Sequence, residues 1–185
     1  ILDNKITHQG IIIETKPLNY PKLDDVLDNN EIIIVLDQVT DPQNVGAIIR
    51  TFNFFGGKNL LITKDHSSEI NGSLAKSASG ALEFIDIIKV TNLSMALKKL
   101  RKKGFIIIGL DEFSDVMLHN IENYKSEKKV LVMGSEGKGL RRLTKENCDF
   151  LVSIANNNDS DFNTLNVSVS SALALYELMG RDIIK

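Results

Sequence analysis

One cysteine, no long apolar run and no excess of charge of either sign set the first bounds on this chain. With Cys148 alone, no intramolecular disulfide forms, and the chain suits a reducing compartment. No apolar stretch approaches the ~20 residues that a membrane-spanning helix needs. The formal net charge is −2, so nothing global advertises a polyanionic partner. His8, His66 and His119 stand isolated, with no carboxylate or cysteine at metal-ligand spacing. No Ser–His or Cys–His catalytic arrangement is evident, and neither an internal repeat nor a low-complexity tract appears. The chain opens on Ile1 with no signal-peptide pattern, which predicts the ordered part of a longer, cytoplasmic protein. What is present is enough for one domain. At 185 residues and 43% hydrophobic, the chain can bury roughly 70% of its unfolded surface.

From residue 31 onward the pattern alternates strand and helix. Residues 32–36 form a continuous β-branched run of the kind buried on both faces of a sheet. Asp41-Pro42 marks a turn, and Pro42 suits the first position of a helix whose Val45, Ile48, Ile49, Phe52 and Phe55 fall at core spacing. That helix stops at Gly56-Gly57. Further strands are predicted at 59–63, 84–90, 105–110, 129–133 and 150–154. Helices are predicted at 70–79, at 92–103 with Asn92 or Ser94 as cap, at 139–146 and at about 165–180, with a short helix near 22–28. Repeated strand–helix units imply an α/β fold, a mostly parallel sheet with helices on both faces. The run Lys98-Lys99-Leu100-Arg101-Lys102-Lys103 reads as a solvated helix end that complements the helix dipole, with an RNA-facing patch as the alternative.

Three junctions carry the chemistry. Gly134, Gly137 and Gly139 are spaced G-x-x-G-x-G after an apolar strand, with Glu136 among them. Two familiar phosphate loops are excluded: a Walker loop needs Ser or Thr after its lysine, where Lys138 meets Gly139, and no G-x-G-x-x-G follows the first strand. In Asn44-Val45-Gly46-Ala47-Ile48-Ile49-Arg50, Gly46 and Arg50 share a helical face, so the missing side chain leaves room for a backbone or substrate group one turn away. Arg50, flanked by Ile49 and Phe52, is expected to be partly set into apolar surface and to have a carboxylate or phosphate partner. In Thr164-Leu165-Asn166-Val167-Ser168, Thr164 is expected to cap the last helix and Leu165 to enter the core, while Asn166 and Ser168 present polar groups beside free backbone N–H groups. The polar stretch 156–161 before it reads as the rim of a pocket. Cys148 reads as a buried small residue. Such strand-to-helix junctions are where open α/β sheets bind ligands.

Together these segments resemble the three motifs of the SpoU-type (SPOUT superfamily, TrmH-like) RNA ribose 2′-O-methyltransferases. Asn44, Gly46 and Arg50 match the first motif, N-x-G-x-x-x-R. Gly134, Glu136, Gly137 and Gly139 match the second, and Thr164 to Ser168 the third, S/T-L-N-V-S. The match runs over about 31–180, and 132–154 looks most like the bacterial enzymes that methylate a guanosine ribose in 23S rRNA. His8-Gln9-Gly10 is similar to the linker after that subgroup's small N-terminal RNA-binding domain, so 1–30 is expected to be a linker and 31–185 the methyltransferase domain. The chain departs from the subgroup where Ile154 is followed by Ala155 and an Asn/Asp-rich loop instead of Pro-Met.

The resemblance implies a C-terminal trefoil knot holding S-adenosyl-L-methionine, with Gly109, Leu110, Gly134, Gly139, Ile154 and Leu165 as cofactor-binding residues and no metal. It implies that Arg50 stabilises the reacting ribose oxygen, that Glu136 orients Arg50, and that Asn44, Asn166 and Ser168 position the ribose. It further implies a homodimer through the first-motif helix (Ile48, Phe52, Phe54, Phe55) and the last helix (Val169, Leu173, Leu175, Met179). The expected partner is RNA, with rRNA first. A tRNA ribose methyltransferase is the alternative within the enzyme class, and a non-catalytic RNA-binding scaffold the alternative outside it. Without an added RNA-binding domain, the chain is expected to dimerise and bind cofactor but to methylate RNA poorly.

Overall fold

The computed structural model describes residues 18–27, 32–123, 128–156 and 164–180. The His8-Gln9-Gly10 linker and most of the Asn/Asp-rich rim lie outside the described residues. In chain order the elements are β1 (Ile32–Asp37), α1 (Pro42–Phe54), β2 (Asn59–Thr63), α2 (Gly72–Ala78), β3 (Asp86–Val90) and α3 (Leu93–Lys102). They continue with β4 (Ile106–Leu110), β5 (Lys129–Gly134), α4 (Arg142–Lys145), β6 (Phe150–Val152) and α5 (Val167–Leu178). The strands form one sheet in the order β3-β2-β1-β5-β4-β6, and every neighbouring pair is parallel. All six strand carboxyl ends therefore point to one edge.

The continuous apolar run of β1 is explained by its place at the centre of the sheet, where all six of its residues are buried. Side chains alternate across a strand, and the two halves of this run enter different cores. Ile34 and Leu36 join Val45, Ile49, Leu74 and Leu175, so α1, α2 and α5 cover one face. Ile33 and Val35 join Leu93, Leu97 and Leu100 from α3 on the other. Helix α1 lies close on α2, which explains Gly46: a Cβ there would sit 2.5 Å from Ser77 Cβ and 2.6 Å from the Leu74 carbonyl oxygen. The room left by Gly46 is taken by the backbone of α2.

Several boundaries differ from expectation for identifiable reasons. The strand expected from residue 84 begins at Asp86, because Ala81–Phe84 is a 3₁₀ turn entered through Gly80 in a left-handed conformation. The helix expected over 139–146 is only Arg142–Lys145, because Ser135 and Gly139 exchange backbone hydrogen bonds and the chain between them is a tight turn. Asn92, whose carboxamide oxygen accepts from Met95 N at 3.0 Å, caps α3. Asn166, not Thr164, caps α5, so the helix starts later and Leu165 is 51% exposed instead of entering the core.

Beyond β4 the chain wraps around β6. Asp111 N donates to the Val152 carbonyl at 2.8 Å, Ser114 Oγ donates to Leu151 O at 2.7 Å, and Leu118 N donates to Ser153 O at 2.8 Å. Among the described residues, no helix is long and apolar enough to cross a membrane.

Candidate active site

The loops after β1 and β5 meet the first turn of α5 at the carboxyl edge of the sheet. Asp41 caps α1 by accepting from Gln43 N at 3.0 Å, and its other oxygen accepts from Asn44 Nδ2 at 2.8 Å. The same Asn44 amide donates to Glu136 Oε1, 92 residues away. Asn166 Nδ2 donates to Asn44 Oδ1 at 3.1 Å and to Glu136 Oε1 at 3.2 Å. Its own Oδ1 accepts from Ser168 N at 2.8 Å and from Ser168 Oγ at 2.6 Å.

The direction of every amide follows from one backbone group. Ser168 N–H can only donate, so the Asn166 oxygen must face it and the Asn166 NH₂ must face outward. That NH₂ then requires the Asn44 oxygen opposite it, which turns the Asn44 NH₂ toward the two carboxylates. Cap, amide and carboxylate groups thus form one directed chain from Asp41 to Ser168, with the Glu136 carboxylate accepting from both asparagines.

Glu136 sits on a turn that only glycines permit. Gly137 and Gly139 have φ of 78° and 62°. At Gly134 a Cβ would lie 2.2 Å from the Gly139 carbonyl carbon and 2.4 Å from Leu140 N, so the returning chain occupies the space a side chain would need. The turn is anchored from below by Asp37, fully buried at the end of β1. Its carboxylate accepts from Arg141 Nε at 2.6 Å and from Arg141 N at 3.1 Å.

Beside this network lies a cavity of about 920 Å³, within the size range of small-molecule sites. Its lining includes Leu110, Gly134, Gly139, Ile154 and Leu165, with Glu136 and Asn166 in its wall. Its rim carries Lys138 and an ion pair between Lys145 Nζ and Asp111 at 2.6 Å. The mixture of apolar walls, three converging backbone turns and a polar end fits a nucleoside-bearing molecule.

Three expectations are corrected. Gly109 does not line the cavity; a Cβ there would meet Cys148 Sγ at 2.7 Å and Leu140 Cδ1 at 2.8 Å, so its smallness serves packing. Arg50 is exposed rather than set into apolar surface, and its Nη1 donates to Ser79 Oγ at 3.2 Å, not to Glu136. Six residues at ~100° each turn Arg50 to a different face of α1 from Asn44. Glu136 is oriented by Asn44 and Asn166 and does not itself orient Arg50 within the chain. Neither the pairing of Asp37 with Arg141 nor the capping role of Asp41 is evident from motif spelling. The signal for Asp37 was a carboxylate ending a fully apolar strand, a place where a charge needs a partner.

Cys148 is half-buried, and its Sγ donates to the Thr144 carbonyl at 3.3 Å. Burial, reinforced by the Asp149 carboxylate, pushes the thiol up to about 12.

The sequence family described as SpoU rRNA Methylase matches residues 31–176. The chain is 37% identical over 178 residues to the 23S rRNA (guanosine-2′-O-)-methyltransferase RlmB of Pseudomonas aeruginosa, covering 93% of this chain and 70% of that protein. It is 41% identical over 177 residues to the enzyme of the same name from Ralstonia nicotianae, covering 92% and 68%. The solved AdoMet-bound rRNA methyltransferase of Sinorhizobium meliloti superposes with a TM-score of 0.77 at 26% identity, covering 90% of this chain and 62% of that one.

Proposed function

This chain belongs to the SpoU rRNA methylase family, and on that premise we propose that it transfers a methyl group from S-adenosyl-L-methionine to the 2′-oxygen of a guanosine ribose in 23S rRNA. The observation that carries the reading is the Asn44–Glu136–Asn166 network in the wall of the 920 Å³ cavity. The cofactor supplies a methyl group activated by a sulfonium centre. Leu110, Gly134, Gly139, Ile154 and Leu165, which line the cavity, would hold it.

Transfer would form a C–O bond as the methyl–sulfur bond breaks in line, with S-adenosyl-L-homocysteine leaving and the ribose hydroxyl proton passing to solvent water. That hydroxyl titrates far above neutrality, so the developing oxyanion needs a cation or donors nearby. We assign this task to Arg50, which also holds an RNA phosphate. Asn44, Glu136, Asn166 and Ser168 position the ribose, and orientation is the larger contribution.

The protein acts as a homodimer. Along α5, Val169, Leu173 and Tyr176 are 47%, 44% and 45% exposed on one stripe, and Phe54 at the end of α1 is 81% exposed. Ile48, Phe52 and Leu175, expected in the same interface, are fully buried in the chain's own core and take no part. Arg50, one turn before Phe54, borders this face, so a second copy docked there brings each Arg50 toward its partner. The segment wrapped around β6 is read as the loop of a trefoil knot through which the C-terminal part passes.

The test is methyl transfer from labelled S-adenosyl-L-methionine to transcripts of 23S rRNA and of tRNA, scored by resistance of the product to alkaline hydrolysis. Protection at a guanosine in the rRNA transcript is expected, and Arg50→Ala should abolish it while cofactor affinity stays within a few-fold. Labelling of tRNA alone would move the substrate to tRNA. Failure to bind the cofactor at all would leave an RNA-binding scaffold.

A further inference from the structure

A second cavity, of about 540 Å³, opens at the same edge of the sheet where α3 begins. The turn after β2, the first residues of α3 and the segment entering α4 enclose it. One connection walls both cavities: residues 134–139 line the first and 141–144 the second. Strands β2 and β5 flank β1, so the turns at their ends lie about 10 Å apart. A single RNA strand spans that distance in a few nucleotides.

The lining has the chemistry of a phosphodiester contact. Arg142 is 79% exposed, and its carboxylate partner is Glu146 on the same helical face. His66 stands at the tip of the β2 turn with φ of 57°, a conformation uncommon outside glycine. Two hydrogen bonds hold that turn: Thr63 Oγ1 donates to Asp65 O and Ser67 Oγ donates to Thr63 O, both at 2.6 Å. The backbone that carries the exposed His66 at the cavity is thereby pinned. Thr91 and Asn92 add a hydroxyl and an amide, and Leu143, 55% exposed, adds an apolar surface next to Arg142. Arg141 is already committed to Asp37, and among the described residues Asp65 is the one acid in the lining.

Exposure decides between a free anion and a polymer. A guanidinium this open holds a lone small anion weakly, because water screens the pair. On a polyanion the same contact also releases a condensed counterion. We propose that the second cavity is a subsite for the RNA strand flanking the methylated nucleotide, in which Arg142 and His66 hold a backbone phosphate and Thr91 and Asn92 face its ribose. The assignment rests on the methyltransferase reading of the first cavity.

The test uses the full chain, a 23S rRNA transcript, and the variants Arg142→Gln, His66→Gln and their combination. Both positions are exposed, so melting temperatures should match the parent. The double variant should raise KM for RNA about tenfold while kcat and S-adenosyl-L-methionine affinity stay within twofold. The slope of log binding constant against log salt should flatten by about 0.7–0.9 for the lost phosphate. An unchanged KM and slope would overturn the subsite, as would a loss confined to cofactor affinity. If the parent binds RNA but transfers no methyl group, the enzymatic reading fails, and the salt slope still decides the subsite.

Discussion

Arg141→Ala removes the charged partner of a carboxylate that water does not reach. Asp37 is 0% exposed, whereas the Arg141 side chain is 45% exposed, so the two partners of this ion pair are unequal. Deleting the arginine strands a buried charge, which costs about 3–5 kcal/mol when nothing else compensates. Here the backbone N–H at 141 still donates to Asp37 at 3.1 Å, which places the loss near the lower end, about 3 kcal/mol. Asp37→Asn instead removes the charge, keeps an acceptor for that N–H, and leaves a guanidinium that solvent can hydrate. Its cost is that of an imperfect buried hydrogen bond, about 1–1.5 kcal/mol. The double variant carries no stranded charge, so its loss should be about 2 kcal/mol smaller than the sum of the single losses. In a domain of this size 1 kcal/mol moves Tm by about 2–4 °C, which separates the variants in thermal melts and urea titrations at one fixed protein concentration. Strict additivity, or an Arg141→Ala loss under about 1 kcal/mol, would show that Asp37 is solvated or otherwise paired and would refute the reasoning.

At Gly46→Ala, a gain of about 1 kcal/mol in helix propensity is opposed by overlap with Ser77 Cβ at 2.5 Å and the Leu74 carbonyl at 2.6 Å. Overpacking against backbone costs about 1–3 kcal/mol or more, so Tm should fall; a rise would mean that α1 and α2 separate freely. With its pKa held at about 12, Cys148 should react with iodoacetamide about a thousandfold more slowly at pH 8 than a free thiol of pKa 9.0. The folded state keeps this proton after the unfolded chain has lost it, so the thiol's contribution to stability is full below pH 9 and declines as pH rises from there toward 12. Light scattering should return twice 20.6 kDa for the parent chain and about 20.6 kDa for Leu173→Glu; a parent mass of 20.6 kDa at micromolar concentration would remove the dimer.

The periodicities that locate the fold are those whose physics is local. The β-branched run of β1 and the Asp41-Pro42 start of α1 depend on neighbours in sequence, and both appear where expected. The cap of α5 was misread because Thr164 and Asn166 are both competent caps. What favours Asn166 is its second task of holding Asn44 and Glu136, a long-range demand that no window of sequence contains. The same holds for Arg50, whose apolar neighbours at 49 and 52 suggested burial; helical geometry sends those two inward and the guanidinium out to Ser79. Motif spelling brought Asn44, Glu136 and Asn166 to notice, but which of them touch is decided by the sheet order, which places β5 beside β1.

The hydrogen-bond chain from Asn44 through Glu136 to Asn166 also fixes when in the life of a molecule it acquires a working pocket. Asn44 and Asn166 are 122 residues apart, about 6–25 seconds of ribosomal synthesis at ~5–20 residues per second. Through that interval the first asparagine has been made but neither its amide partner nor the helix that orients it exists. A nascent or prematurely terminated chain can build β1, α1 and even the glycine turn, yet it leaves Glu136 with half of its donors. Chains cut short before α5 lack Asn166 and Ser168, so they are expected to transfer no methyl group.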